Sequence, residues 1–216
     1  TLFPYTTLFR SDAAPFSAYL FYKHAGGGGL GDDARDDEYG ECLTPESMVG
    51  QTRRMMDLYG FKEIKLKGGV LPPEEEIETM RLLRAEFGPS VPLRIDPNCA
   101  WSVETSVMIG LALKEELSGG GYFEDPTAGM DGMAEVRRRL LAAGVETPLA
   151  SNVAVTAMEH IVPAFQTGAS QVILSDPHYW GGIRAVQRMA MLCDSLGLGV
   201  SIDRKSTRLN SSHRIR

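Results

Sequence analysis

Two lysines separated by one residue, Lys65 and Lys67, lie in the run Ile64-Lys65-Leu66-Lys67-Gly68-Gly69. In a strand, residues i and i+2 point to one face, so both ammonium groups share it while Leu66 takes the other. Two cations on a buried face need an anion between them. Each also lowers the other's pKa, which makes one of them a usable base near neutral pH. On an exposed edge strand the same pair would merely discourage aggregation. The residues further along the chain decide against that bland reading. Asp96 and Asn98, Glu124, Asn152 and Asp176 each follow a short apolar run, one after another along the chain. Asp, Glu and Asn offer hard oxygen donors, a set that suits Mg2+. A lysine beside such a cation could take the proton from a carbon next to a carboxylate.

The elements that must position these residues alternate. Residues 17–22 (SAYLFY) read as a buried strand, and the glycine run at 26–29 with the acidic stretch to 41 reads as a loop. Thr44-Pro45-Glu46 starts a helix, with Thr as N-cap and Pro at the first position, and Gly60 stops it. A strand at 63–67 follows, and Pro72-Pro73-Glu74 opens a helix to about 87 whose acidic first turn suits the helix dipole. The unit then repeats. Strands are predicted at 91–95, 121–123, 147–150 and 171–174, with helices at 102–117, 132–143, 155–166 and 182–196 and a last strand at 199–202. Seven strands alternating with six helices predict a parallel sheet with helices outside it. No Gly-rich phosphate turn follows the first strand, as a doubly wound sheet would favour. Polar residues end nearly every strand instead of clustering at one crossover. That pattern predicts an α/β fold of the TIM type, an incomplete (β/α) barrel with its site on the C-terminal rim.

Composition narrows the class further. At 216 residues and 43% hydrophobic content, the chain is an ordinary globular one with no run of membrane-spanning length and no visible signal peptide. Cys42, Cys99 and Cys193 are odd in number and widely spaced, which points to a reducing, cytoplasmic setting without disulfides. A formal charge of −6 argues against nucleic acid as a partner. Residues 1–11 and 203–213 resemble in-frame translations of short sequencing adapters. On that reading 1–11 and 203–216 are artefacts, and 12–202 is a partial barrel from a longer gene.

Five segments together resemble the enolase superfamily, and within it the acid-sugar dehydratases of the glucarate dehydratase group. They are Lys65-Leu66-Lys67-Gly68-Gly69-Val70, Asp96-Pro97-Asn98, Glu124-Asp125-Pro126, Ser151-Asn152 and Ser175-Asp176-Pro177-His178-Tyr179-Trp180. The resemblance covers essentially 12–202. It implies the C-terminal barrel domain of that superfamily without its capping domain. It also implies a Mg2+-dependent loss of water from an acid sugar, begun by proton abstraction next to a metal-bound carboxylate. By the same resemblance Lys67 is the general base and Lys65 its electrostatic partner. Tyr19, Lys65 and Asn98 face the substrate, and Asp96, Glu124 and Asn152 hold the metal. Asp176 is the orienting half of a His–Asp dyad whose His would follow residue 202, where Asp203 stands. In glucarate dehydratases proper the third ligand is a Glu several residues later, where this chain has Met130 and Asp131. Glu124 is favoured and Asp131 kept as the alternative, which leaves the sugar open. The parent is expected to be a homo-oligomer, and the fragment inactive. A racemase or epimerase of the same superfamily, or a non-catalytic acid-sugar-binding barrel, would use the same residues.

Overall fold

The computed structural model describes residues 16–24 and 40–202. Most of the predicted 26–41 loop, both terminal segments and the dyad position after Ile202 lie outside them.

Helix α1 (Pro45–Tyr59) begins as its sequence requires. Thr44 Oγ1 accepts the Ser47 N–H, the Ser47 hydroxyl accepts the Thr44 N–H, and Gly60 ends the helix with φ of 68°. Six further helices follow: α2 (Pro73–Phe87), α3 (Val103–Ala112), α4 (Met130–Ala142), α5 (Met158–Thr167), α6 (Pro177–Trp180) and α7 (Ile183–Ser195). The strands are β1 (Ser17–Leu20), β2 (Glu63–Lys67), β3 (Leu93–Asp96), β4 (Tyr122–Glu124), β5 (Leu149–Ser151), β6 (Val172–Ser175) and β7 (Gly199–Ile202). They form one all-parallel sheet in chain order, β1 through β7. Among the described residues β1 pairs only with β2 and β7 only with β6, so the barrel is incomplete, as predicted.

Three local expectations need correction. The helix predicted over 102–117 ends at Ala112 and continues as turns to Gly120, where a Ser-Gly-Gly-Gly run favours no further helix. The one predicted from 155 starts at Met158. Pro177–Trp180 forms an additional short helix, because Asp176 accepts the His178 N–H at 2.8 Å and caps it.

Strand alternation divides the residues cleanly. Ala18, Leu20, Ile64, Leu66, Leu93, Ile95, Phe123 and Leu149 point outward and pack with Met48, Met80, Leu83, Val107, Ile109, Val136 and Leu140, all buried. The opposite face carries the chemistry. Register aligns Tyr19 with Lys65, Lys65 with Arg94, and Arg94 with Tyr122; one step toward the C-terminal rim, Lys67 aligns with Asp96. Register partners in a parallel sheet share a face, so these side chains stack as successive layers inside the barrel. Toward β5 and β6 the interior turns apolar, where Tyr122, Ala150 and Leu174 form their own cluster. No helix of the described residues is long and apolar enough to cross a membrane.

Candidate active site

The inner layers at the ends of β2, β3 and β4 converge on Asp96, which is 1% exposed. Its Oδ2 accepts from the Tyr19 hydroxyl at 2.9 Å and from Lys67 Nζ at 2.9 Å, and lies 3.3 Å from Lys65 Nζ. Its Oδ1 accepts the Asn98 N–H at 3.0 Å. Lys65 Nζ reaches the fully buried Glu124 Oε2 at 2.6 Å and stands 4.7 Å from the centre of the Tyr19 ring. Lys67 donates to Asn98 Oδ1 at 2.9 Å and keeps 19% of its side chain exposed. Asn152 Nδ2 lies 3.5 Å from Glu124 Oε1. Seven of the predicted residues thus meet in one cluster: Tyr19, Lys65, Lys67, Asp96, Asn98, Glu124 and Asn152.

Electrostatics follows from this packing. Burial alone would raise the Asp96 carboxyl, but Lys65 and Lys67 hold it well below the usual carboxylate range. Lys65 departs from the expected depression. Burial works against its ammonium, yet Glu124 and Asp96 outweigh that and hold its pKa well above the ordinary lysine value. The expectation considered lysine against lysine; the structure brings anions of β3 and β4 to contact distance. Burial and the neighbouring carboxylates keep the Tyr19 hydroxyl protonated and therefore a donor. Cys99, half-buried beside Asp125 and Asp96, is pushed up to about 11, which removes it as a nucleophile at neutral pH.

A second polar group lies beneath, nearer the N-terminal ends of the strands. Arg94 meets Glu63 Oε2 at 2.6 Å, donates to Ser17 Oγ at 2.8 Å and stacks 4.6 Å from the centre of the Tyr122 ring.

Sequence reasoning gave no role to Asp125, which the structure makes a hub. Fully buried and at φ of 36°, it accepts from Ser151 Oγ at 2.6 Å, Asn152 N at 2.9 Å and Val153 N at 3.3 Å. Its carbonyl takes the Cys99 N–H at 2.7 Å, so one residue ties the ends of β3, β4 and β5 together. Two predicted residues stand apart from the cluster. Asp176 is 5% exposed at the end of β6 and occupied in capping α6. Asp131 is exposed in the first turn of α4, whereas Glu124 sits inside the cluster.

Two buried carboxylates, Asp96 and Glu124, flank the Lys65 ammonium, which answers the demand for positive charge there, and the Asn152 amide meets Glu124 through Nδ2. Among the described residues no group of three His, Cys, Asp or Glu could hold a metal; here the third donor is an amide. Asp96, Glu124 and Asn152 are of the residue types whose oxygens Mg2+ takes, an ion that needs few protein ligands and keeps its remaining positions for water or substrate.

A family model described as enolase C-terminal domain-like matches residues 47–211. A probable glucarate dehydratase of Streptomyces coelicolor is 48% identical over 191 residues, 88% of this chain and 42% of that protein. The crystal structure of an enolase from Mycobacterium smegmatis complexed with tartrate is 48% identical, with a TM-score of 0.79 over 89% of this chain and 43% of that one. Another, from Thermobispora bispora and complexed with magnesium and formate, is 46% identical with a TM-score of 0.81, covering 91% of this chain and 44% of that one. The chain therefore spans less than half the length of each of these relatives.

Proposed function

The chain belongs to the enolase C-terminal domain-like family, and on that premise we propose that it carries the proton-abstracting site of a Mg2+-dependent dehydratase of acid sugars. The observation that carries the reading is Lys67 Nζ held at 2.9 Å from Asp96 Oδ2, at the edge of the Asp96, Glu124 and Asn152 group. A base and a cation site that share one carboxylate suit a substrate whose acidic C–H adjoins its own carboxylate. The relatives support this reading: one was crystallised with magnesium, and another with tartrate, itself a hydroxy diacid.

Asp96, Glu124 and Asn152 would hold the ion, and the chemistry it supplies is Lewis-acid polarisation of a carboxylate. Lys67 removes the proton, being the more exposed of the two lysines and the one bonded to Asn98 on the rim. Lys65, locked between Glu124 and Asp96, keeps its charge and stabilises negative charge as it builds up in the substrate. Asn98, exposed and adjacent, offers its amide to substrate hydroxyls. The β-hydroxyl then leaves as water by taking up a proton, which the Lys67 ammonium or solvent can return, and the enol left behind tautomerises to the keto-deoxy acid.

The test is incubation of a full-length protein that carries this chain as its barrel domain with glucarate and with galactarate in D2O, with and without Mg2+, beside its Lys67→Met variant, the chain alone being expected to be inactive. Mg2+-dependent formation of the keto-deoxy acid that disappears in Lys67→Met is the expected result. Deuterium washed into substrate without loss of water would replace the dehydratase with a racemase or epimerase. Calorimetric binding of the acid sugar with neither event would assign a binding protein.

A further inference from the structure

Glu76 is fully buried, although it shares the first turn of α2 with the exposed Glu74 and Glu75. Its carboxylate faces the turn that leaves β2. Oε2 accepts the Gly69 N–H at 2.8 Å, and Oε1 accepts those of Val70 at 2.8 Å and Leu71 at 2.9 Å. Three successive backbone donors on one carboxylate form an anion nest whose occupant is built into the chain. A Cβ at position 68 would come within 2.7 Å of Glu76 Oε2 and 3.0 Å of Ile95, so glycine there lets the carboxylate close on the turn.

The other side of the turn rests on the loop after β3. Gly68 N donates to Asp96 O at 3.0 Å. Gly69, at φ of 76°, lies so close that an added Cβ would stand 2.7 Å from Pro97 O. Lys67 immediately precedes this turn, and its two partners, Asp96 and Asn98, flank Pro97.

We propose that Glu76 is a positioning residue for Lys67. By clamping residues 68–71 between α2 and the 96–98 loop, it holds Lys67 Nζ between Asp96 Oδ2 and Asn98 Oδ1. The inference rests on the reading of Lys67 as the base, since only then does its alignment bear on proton abstraction. A carboxylate that served only the helix dipole would sit in solvent like Glu74 and Glu75.

Glu76→Gln keeps the side chain's size but replaces one acceptor oxygen with an amide donor that must face a backbone donor. The readout is site-resolved acylation of lysines in the full chain, well below its unfolding temperature, followed by peptide mass mapping. Exposed Lys62 and Lys114 serve as internal standards. Relative to them, Lys67 labelling should rise roughly tenfold in Glu76→Gln, the equivalent of one lost charge-assisted hydrogen bond, and less in Glu76→Asp. Leu83→Ala, in the same helix and fully buried, should lower the unfolding temperature and leave Lys67 labelling unchanged. Unchanged Lys67 labelling in Glu76→Gln, or an equal rise in Leu83→Ala, would reduce Glu76 to a structural residue and overturn the proposal. If Glu76→Gln loses its fold by circular dichroism, Glu76→Asp decides on the same criterion. Labelling does not depend on turnover, so failure of the dehydratase reading leaves this result interpretable on its own.

Discussion

Lys65→Met removes one ammonium from the most buried point of the site while nearly preserving side-chain volume. The lysine is 7% exposed, and its partners Asp96 and Glu124 are 1% and 0% exposed, at 3.3 Å and 2.6 Å. Removing one member of a buried ion pair typically costs about 3–5 kcal/mol, because the remaining charge stays buried. Lys67 still compensates Asp96 at 2.9 Å, so the burden falls on Glu124 and the lower end, about 3 kcal/mol, is expected. For a chain of this size that is a fall in Tm of roughly 6–12 °C. Calorimetric unfolding at pH 7 without divalent cations measures it.

The pH dependence has a definite sign. Lys65 has its pKa raised by folding, so its contribution is complete below the ordinary lysine value and lost as pH rises through the folded one. Asp96 has its pKa lowered, so its contribution is present above the ordinary Asp value of about 4 and lost as pH falls through the folded one. The wild-type pairing is therefore intact from about pH 5 to pH 10. In Lys65→Met the buried Glu124 carboxylate loses the ammonium that stood 2.6 Å away. Lys65→Met/Glu124→Gln should recover much of the loss at pH 7. A single-variant loss under about 1 kcal/mol, or a double variant no better than the single, would show that these charges are solvated and refute the argument.

Three other substitutions probe the frame around the cluster. Asp125→Asn exchanges an acceptor for a donor opposite Ser151, Asn152 and Val153. It should cost about 1–3 kcal/mol and weaken Mg2+ binding about tenfold or more, read by urea unfolding and by calorimetric titration of the ion. Tyr19→Phe retains the ring beneath Lys65 but loses the hydroxyl that donates to Asp96. A loss of about 1.5–3 kcal/mol in urea unfolding is expected, and an unchanged midpoint would count against that bond. Thr44→Ala removes the capping box of α1, far from the cluster. It should cost about 0.5–2 kcal/mol in thermal unfolding while Mg2+ titration stays at the wild-type value.

The architecture was legible because strand and helix signals alternate and because the strand ends repeat one kind of residue. Lys67, Asp96 and Glu124 could be collected before any coordinates, since a parallel barrel brings strand ends to one rim whatever the details of its loops. Asp125 and Glu76 escaped for a common reason. Their partners are backbone N–H groups of other segments, and a backbone donor leaves no mark in sequence. In Glu74-Glu75-Glu76 three identical residues have different fates, which only the path of the 68–71 turn distinguishes. The direction of the Lys65 shift is hidden for a related reason: the i, i+2 spacing shows the neighbouring lysine, while the carboxylates that outweigh it come from other strands. Helix ends drifted where Gly or Pro turns compete with the periodic pattern, as after Ala112.

The strict β1-to-β7 order of the sheet has a kinetic side. Each described strand from β2 to β7 lies beside the one made just before it, so each pairing closes a loop of only a few tens of residues that contains a helix. Among the described strands none has to wait for a distant partner. Loop closures of similar, modest length favour growth of the sheet by accretion of neighbouring βα units. On a ribosome the same order lets each new strand dock on a neighbour that has already emerged, with its polar inner face assembled one layer at a time.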